Sequence, residues 1–399
     1  MAFPKGDPCK WIFRDITREG SPETGGRSIH PQALYHREDR HSRSMRTGQE
    51  GNHSGVISPA IQNRTPRFYF IINPHAGRGS VGKQWPHVLD TARQRLGSVG
   101  FKITEGPGDA VLSTREALLS GADVIVCFGG DGTLNEVVTG MMDNNGPIRP
   151  DALLGLIPNG TGCDFIKSVR IPKSPADALD VIAAAFCMPL DLGRLSYRDN
   201  QGRSAMRHFH NVTSFGLGGE VDERVNRTTK VFGGFFSFIW ATLITAILYR
   251  GKKVFFRIDG SGEQSSTVLN FVIGNGQYHG GGMWVAPEAR VNDGLLNITV
   301  IGNYSLPEIF WHFPKLYNGR LFRLKKVQGF TAGKIEAWSE DRVLLDVDGE
   351  QPGVLPVTVE VVPSALRLIV PKGVSSEQYA VSSKELGPNR TGQAEPTKT

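Results

Sequence analysis

Cysteine is scarce in this sequence: four residues in 399, at Cys9, Cys127, Cys163 and Cys187. No C-x-x-C pair occurs, which disfavours both a disulfide framework and a tetrahedral zinc site and fits a reducing, cytosolic compartment. Charge of one sign is scarce too. Lys and Arg number 45 against 39 Asp and Glu, a net +6. That is too little for a dedicated nucleic-acid binder, yet compatible with anionic lipid or phosphate partners. A hydrophobic share of 39% with 21% charged residues excludes collagen, coiled-coil and mainly disordered readings. No apolar h-region follows the first basic residues, so no signal peptide is expected, and recurring Glu and Asp argue against a transit peptide.

Composition divides the chain. Residues 1–66, rich in Arg, His, Ser, Gly and Glu, show no lasting period and read as a disordered tail; the polar stretch 374–399 reads as a second. Between them, Arg67–Ile72 is a continuous apolar run ended by Asn73-Pro74, the pattern of a strand buried on both faces. A glycine loop through Lys83 and a helix over Pro86–Leu96 follow. Strands at Phe101–Thr104, Asp123–Phe128 and Leu153–Ile157 alternate with helices at Ala110–Ser120, Leu134–Met142 and Ala176–Phe186, which predicts a parallel, Rossmann-like α/β sheet. All three glycine turns fall at carboxyl ends of strands, where such sheets bind phosphate, so they should converge on one crevice.

The first loop, Gly77 to Lys83, fits G-x-x-x-x-G-K but continues with Gln84 where a Walker A motif has the magnesium-binding hydroxyl. A turn that merely needs glycine remains open, as does an anion site of free backbone N–H groups. The second turn, Gly129-Gly130-Asp131-Gly132-Thr133, is more specific. Its glycines admit phosphate to the backbone and Asp131 can hold Mg²⁺, whereas a tight βα turn alone requires no acid. Asn135 and Glu136 follow on the first helical turn. The third turn, Pro158 to Asp164, repeats the idea with Thr161 and Asp164. Asp348-Gly349-Glu350 taken alone reads as a hairpin turn, and so does Asp293-Gly294.

Together these residues carry a resemblance. Asn73-Pro74 with Gly77, Gly129 through Glu136, Pro158 through Phe165 and Asp348-Gly349-Glu350 stand in the order seen in the diacylglycerol kinase / sphingosine kinase catalytic-domain family. Gly280 to Met283, Ala286 to Ala289 and Asp293 to Leu295 resemble its soluble bacterial lipid-kinase branch. The likeness spans about residues 67–372, with Cys163 where many members carry Asn. It implies an ATP-binding α/β domain over 67–190 and a mainly β, sandwich-like lipid-substrate domain over 191–373, with the active site between them. Short β-rich runs agree: His208–Phe215, Val254–Ile258, Val268–Gly274, Leu295–Ile301, Lys334–Trp338, Val343–Val347 and Val357–Val362.

By position, Asn73, Pro74, Gly77, Arg78, Thr104, Gly129, Gly130, Asp131, Gly132, Thr133, Asn135, Glu136, Thr161 and Asp164 inherit nucleotide contacts. Glu350 matches the general base. Asp131, Asp164 and Asp191 match acids of a catalytic magnesium-water network, and Asp293 with the carbonyls of Arg290 and Leu295 matches a structural Mg²⁺ site. The implied activity is transfer of the ATP γ-phosphate to a lipid hydroxyl, with diacylglycerol as lead substrate and phosphatidic acid as product. Expected partners are the lipid alcohol and anionic phospholipid at a membrane surface. The expected location is cytoplasmic and peripheral to the membrane, and a homodimer is left open. An NAD kinase, which shares the Gly-Gly-Asp-Gly-Thr loop, and a catalytically silent lipid-binding module are the rivals. The apolar run 231–249 ends in Arg250, Lys252 and Lys253. It reads as a core helix, an interfacial helix or a marginal span. His208, His210 and His279 lack ligand spacing and read as surface or packed residues.

Overall fold

A computed structural model describes residues 65–228 and 249–374, all within one compact unit, Asn52–Thr399. The expected tails and the apolar run 231–249 lie outside the described residues except at their edges. Among the described residues, no helix is long and apolar enough to cross a membrane.

The apolar runs become strands because both their faces are covered. β1 (Phe68–Ile72) lies in parallel between β2 (Val99–Ile103) and β3 (Val124–Gly129), and β3 pairs in parallel with β4 (Leu153–Pro158). Period-two alternation sends Phe68, Phe70 and Ile72 with Val124, Val126 and Phe128 into one core. Ile71, Ile125 and Cys127 point into the other. The first core is covered by α1 (Ala76–Leu96) and α5 (Pro175–Ala184), the second by α2 (Asp109–Leu119) and α3 (Asp131–Met141). This two-sided cover is what continuous apolar parallel strands require. α1 departs from expectation at its start. Gly77, Arg78 and Gly79 take left-handed φ of 59°, 57° and 80°, regular helix follows them, and Pro86 sits inside it.

From Cys187 onward the strands are antiparallel, except where the last one rejoins the first layer. In chain order, after α4 (Asp164–Val169), come β5 (Cys187–Asp199), β6 (Ser204–Phe209), β7 (Val212–Gly216), α6 (Leu217–Thr228), β8 (Lys252–Ile258), β9 (Gln264–Gly274), β10 (Tyr278–His279), β11 (Met283–Trp284), β12 (Leu296–Gly302), α7 (Leu306–His312), β13 (Val327–Ala332), β14 (Lys334–Trp338), β15 (Leu345–Val347) and β16 (Gly353–Ile369). Their core is centred on Phe215, Phe256 and Phe271, with Phe271 stacked on Phe215 at 4.5 Å and edge-on to Phe256 at 5.2 Å. The fold is thus an α/β layer of parallel strands followed by a β-rich portion. β5 and β16 join the two. They pair antiparallel from Asp199↔Gly353 to Cys187↔Ile369, and Arg367 and Leu368 of β16 pair in parallel with Leu153 and Leu154 of β4.

Candidate active site

The three glycine turns meet at the carboxyl ends of β1, β3 and β4. Asn73 Nδ2 donates to Thr133 Oγ1 at 2.9 Å, and Ser80 Oγ donates to Asn159 Oδ1 at 2.8 Å. The second and third turns abut so closely that a Cβ on Gly160 would lie 2.8 Å from Gly130 Cα. Gly129 similarly leaves room for Thr133 to fold back over the strand end. A cleft of about 500 Å³ results. Its walls include Asn73, Gly77, Thr104, Gly130, Gly132, Thr133, Glu136 and Thr161, and Glu350 reaches it from the β-rich portion. Pro74 braces the first turn, its carbonyl accepting from Gly82 N at 3.0 Å. Arg78 occupies the left-handed centre of that turn.

The acids of the second and third turns are interlocked. Asp131 accepts from Asp164 N at 3.2 Å and Phe165 N at 3.4 Å, capping α4. Burial and the neighbouring Asp164 carboxylate push the Asp131 carboxyl up. Asp164 pairs with Lys167 Nζ at 2.6 Å and accepts from Gly281 N, in the loop joining β10 and β11, at 2.7 Å. Cys163, where the resemblance calls for Asn, sits at a left-handed φ of 47°, a conformation Asn tolerates well. Its Sγ accepts from Gly160 N at 3.0 Å, and burial, with Asp131, pushes the thiol up to about 11. Glu136 accepts from Gly108 N at 2.9 Å and Ala110 N at 3.2 Å, so it caps α2 while lining the cleft.

Asp348-Gly349-Glu350 is both the hairpin turn its composition suggests and part of the site. Asp348 and Gly349 have φ of 50° and 87°, and Val347 and Glu350 bridge across them. Asp348 is buried and accepts from Asn135 Nδ2 at 2.8 Å and from the backbone N–H groups of His210, Asn211 and Val212 at 3.0–3.1 Å. His210 Nδ1 lies 2.8 Å from it. Burial alone would raise this carboxyl, but His210 and the surrounding donors hold it at about 2. Asn135 Oδ1 accepts from Arg207 Nη2 at 2.7 Å, and the same nitrogen pairs with Glu350 Oε2 at 2.7 Å. Both ends of the buried Asn135 amide are thus engaged, linking Asp348 to Arg207. Glu350 keeps half its side chain exposed, at 51%.

Two histidines pack against acids of the site. His210 is buried beside Asp348, and His279 Nε2 lies 3.1 Å from Asp346 Oδ2. Burial would lower the His279 imidazole, but Asp346, with Asp164 and Asp348, raises it to about 9. Asp346 also accepts from Ser214 Oγ at 3.0 Å and from Gly349 N at 2.9 Å, beside Glu350. On its other side His279 lines an apolar cavity of about 130 Å³, walled by residues such as Leu217, Leu269, Met283 and Ile301. Lys167, Arg207, His210, His279 and Asp346 were not singled out as site residues by the sequence. One signal was present: Asp346 and Asp348 flank Val347 in an apolar run, and buried acids require partners from elsewhere in the chain.

Asp191 accepts from Gly294 N at 2.7 Å and Ser364 N at 2.6 Å, and burial raises its carboxyl. It thus belongs with the 290–295 loop. There Asp293 accepts from Leu295 N at 3.1 Å and is pushed up to about 6 by desolvation and by Asp191, with Arg290 opposing. Asn292 Oδ1 is buried with no hydrogen-bond partner. Among the described residues, no three His, Cys, Asp or Glu side chains group as metal ligands, so a cation here would need main-chain or amide oxygens. The destabilised carboxylate and the orphaned Asn292 oxygen fit a hard cation of that kind.

Known proteins match this arrangement. Residues 67–195 match the family model described as the diacylglycerol kinase catalytic domain. Residues 211–370 match the model described as the YegS C-terminal NAD kinase beta sandwich-like domain. A protein of Xanthomonas axonopodis pv. citri (strain 306), named "Probable lipid kinase YegS-like", is 30% identical over 300 residues, covering 74% of this chain and 94% of the relative. A "Diacylglycerol kinase" of Staphylococcus carnosus (strain TM300) is 27% identical over 313 residues, covering 78% and 97%. The crystal structure of a diacylglycerol kinase from Bacillus anthracis str. Sterne shares the fold, with a TM-score of 0.59 at 22% identity over 77% of this chain and 98% of that one.

Proposed function

The chain belongs to the lipid kinase family built on the diacylglycerol kinase catalytic domain, and from that premise we propose that it transfers the γ-phosphate of ATP to a lipid hydroxyl, with diacylglycerol as lead substrate and phosphatidic acid as product. One observation carries the reading: an unbroken series of contacts from an apolar cavity, through His279, Asp346 and Gly349, to Glu350 at the edge of a glycine-walled cleft. The first is apolar and suits a segment of a lipid tail, and the second suits a polyphosphate. The turn amides around Gly130 and Gly132, with Asn73, Gly77, Thr104 and Thr161, would hold the nucleotide, and Thr133 is oriented for it by Asn73. Glu350, held by Arg207, accepts the proton leaving the lipid hydroxyl as its oxygen attacks the γ-phosphorus.

Mg²⁺ fits two places by the chemistry of their donors. Asp131 and Asp164 are adjacent, largely buried carboxylates, the second paired with Lys167, and Asp293 stands in the 290–295 loop described above. Bound at the first, Mg²⁺ would neutralise charge on the transferring phosphoryl group. Incubating the purified protein with labelled ATP, Mg²⁺ and a panel of diacylglycerol, sphingoid base, phosphatidylglycerol and NAD tests the reading. Label in phosphatidic acid is the expected result. Label in NAD alone, or in no lipid, overturns it.

A further inference from the structure

The outer wall of the apolar cavity is a segment with two apolar faces. It comprises α7 and short 3-10 turns at Phe313–Leu316 and Leu321–Arg323. Its inner face, Ile309, His312, Phe313 and Leu316, recurs at helical spacing and lines the cavity. The other face is exposed. Leu306 and Phe310, one turn apart, are 38% and 51% exposed, and Trp311 beside them is 79% exposed. A helix at a water-facing surface ordinarily carries charge there.

The charges of the segment are of one sign. Between residues 305 and 326 there are five bases, Lys315, Arg320, Arg323, Lys325 and Lys326, against the single acid Glu308. That acid is neutralised locally. It accepts from Ser305 N at 2.7 Å in a capping box and pairs with Lys326 at 3.1 Å, contacts that hold its carboxyl at about 2. Arg320, Arg323 and Lys325 are exposed. Exposed Trp and Phe in one short segment with exposed Arg and Lys suit the boundary between anionic headgroups and acyl chains.

We propose that the outward face of Leu306, Phe310 and Trp311, with Arg320, Arg323 and Lys325, docks the protein on an anionic lipid bilayer. This deepens the lipid-kinase reading and rests on it for its purpose: the helix that enters the bilayer surface with one face walls the cavity with the other, so a lipid reaches the cavity without crossing water. The chemistry favours a bilayer over a second copy of the chain, because copies meeting at this face would oppose their bases.

Sedimentation with vesicles of phosphatidylcholine, with and without phosphatidylglycerol, in the absence of ATP and diacylglycerol, is the test. Wild type should bind only the anionic vesicles, and F310S with W311S should weaken binding about tenfold or more. W311F should retain most of it, and R320Q with K325Q should remove its salt dependence. All variants should melt like wild type and phosphorylate a short-chain diacylglycerol in detergent as it does. Failure of wild type to bind anionic vesicles, or equal binding by the serine variant, overturns the docking face alone. Normal vesicle binding with no lipid phosphorylated leaves the face standing and overturns the kinase reading. A wild-type dimer that the serine variant converts to monomer, with vesicle binding unchanged, assigns the face to a second copy and rejects the bilayer.

Discussion

Two clusters of acids meet in the candidate active site, and they differ in how they are completed. Asp346 and Asp348 are buried, and the chain itself satisfies them: His279, Ser214 and Gly349 N face one, and His210, Asn135 and three backbone N–H groups face the other. Asp164 pairs with Lys167, whereas the Asp131 carboxyl is raised by burial and by Asp164. A buried carboxylate surrounded by donors is a fixed structural part, whereas one destabilised by its neighbour stores a demand for positive charge. The first cluster therefore builds the frame that positions Glu350. The second keeps one carboxyl under repulsion from the other.

The largest effect should come where the frame touches chemistry. Glu350→Gln keeps the size and hydrogen bonding of the side chain and removes the base, so turnover should fall by roughly 10²–10⁴ while nucleotide affinity persists. Unchanged kcat would remove Glu350 from the mechanism.

Next, the two clusters should answer the same substitution with opposite signs. Asp348→Asn takes an acceptor from Asn135 and from the backbone N–H groups of His210, Asn211 and Val212, leaving buried donors mismatched, a loss of about 1–3 kcal/mol in a denaturant titration. Asp131→Asn should leave the metal-free protein as stable or more so, because it relieves repulsion from Asp164, and should impair the Mg²⁺ dependence of activity. Equal destabilisation by both substitutions would erase the distinction between the clusters.

The His279–Asp346 pair sharpens the comparison by its pH dependence. Its imidazole is raised from an ordinary 6.5 to about 9 in the folded protein. The folded state therefore holds that proton more tightly than the unfolded chain does. The stabilisation is fully present below about 6.5 and is lost as pH rises through about 9. Melting temperature followed from pH 6 to 10 should show this alkaline decline in wild type and not in His279→Gln. An identical profile in the variant would mean that the pair contributes no linkage. Because His279 also lines the cavity, the variant should raise KM for lipid more than it lowers kcat.

The α/β layer was largely legible because its signals are local. Phe68 to Ile72 has no polar face, so it had to be a strand covered on both sides, and the glycine turns follow such strands. The β-rich portion was harder. Only Val357–Val362 of β16 was expected, since Pro356 and Pro363 bracket it and proline interrupts a ladder; in the structure the pairing with β5 shifts register between Val354 and Val357 and between Val362 and Leu366, which accommodates both prolines. The expected run His208–Phe215 breaks at His210 and Asn211, whose N–H groups turn to Asp348, more than 130 residues away. His279 and Arg207 could not be read locally, because their partners Asp346 and Glu350 arrive from the far end of the chain.

The smallest effect should come from the 290–295 loop, where Asp293 stands beside Asp191. Asp293 is raised from 3.8 to about 6 by desolvation and Asp191. With the folded value above the unfolded one, stability is greatest below 3.8 and declines as pH rises through about 6. A cation bound at this loop reverses that decline, since it favours the ionised carboxylate and binds only the folded chain. At a free Mg²⁺ concentration tenfold above its Kd, the gain is about 1.4 kcal/mol at pH 7. Asp293→Asn should flatten the acid-side profile in metal-free buffer and lose part of the Mg²⁺-dependent shift in melting temperature. Asp131→Asn should lose a separate part of it, because the two acids lie in different loops. A Mg²⁺ shift of the same size in wild type and Asp293→Asn, with the acid-side profile also unchanged, would leave the loop a plain hairpin turn, as Asp293-Gly294 reads on its own.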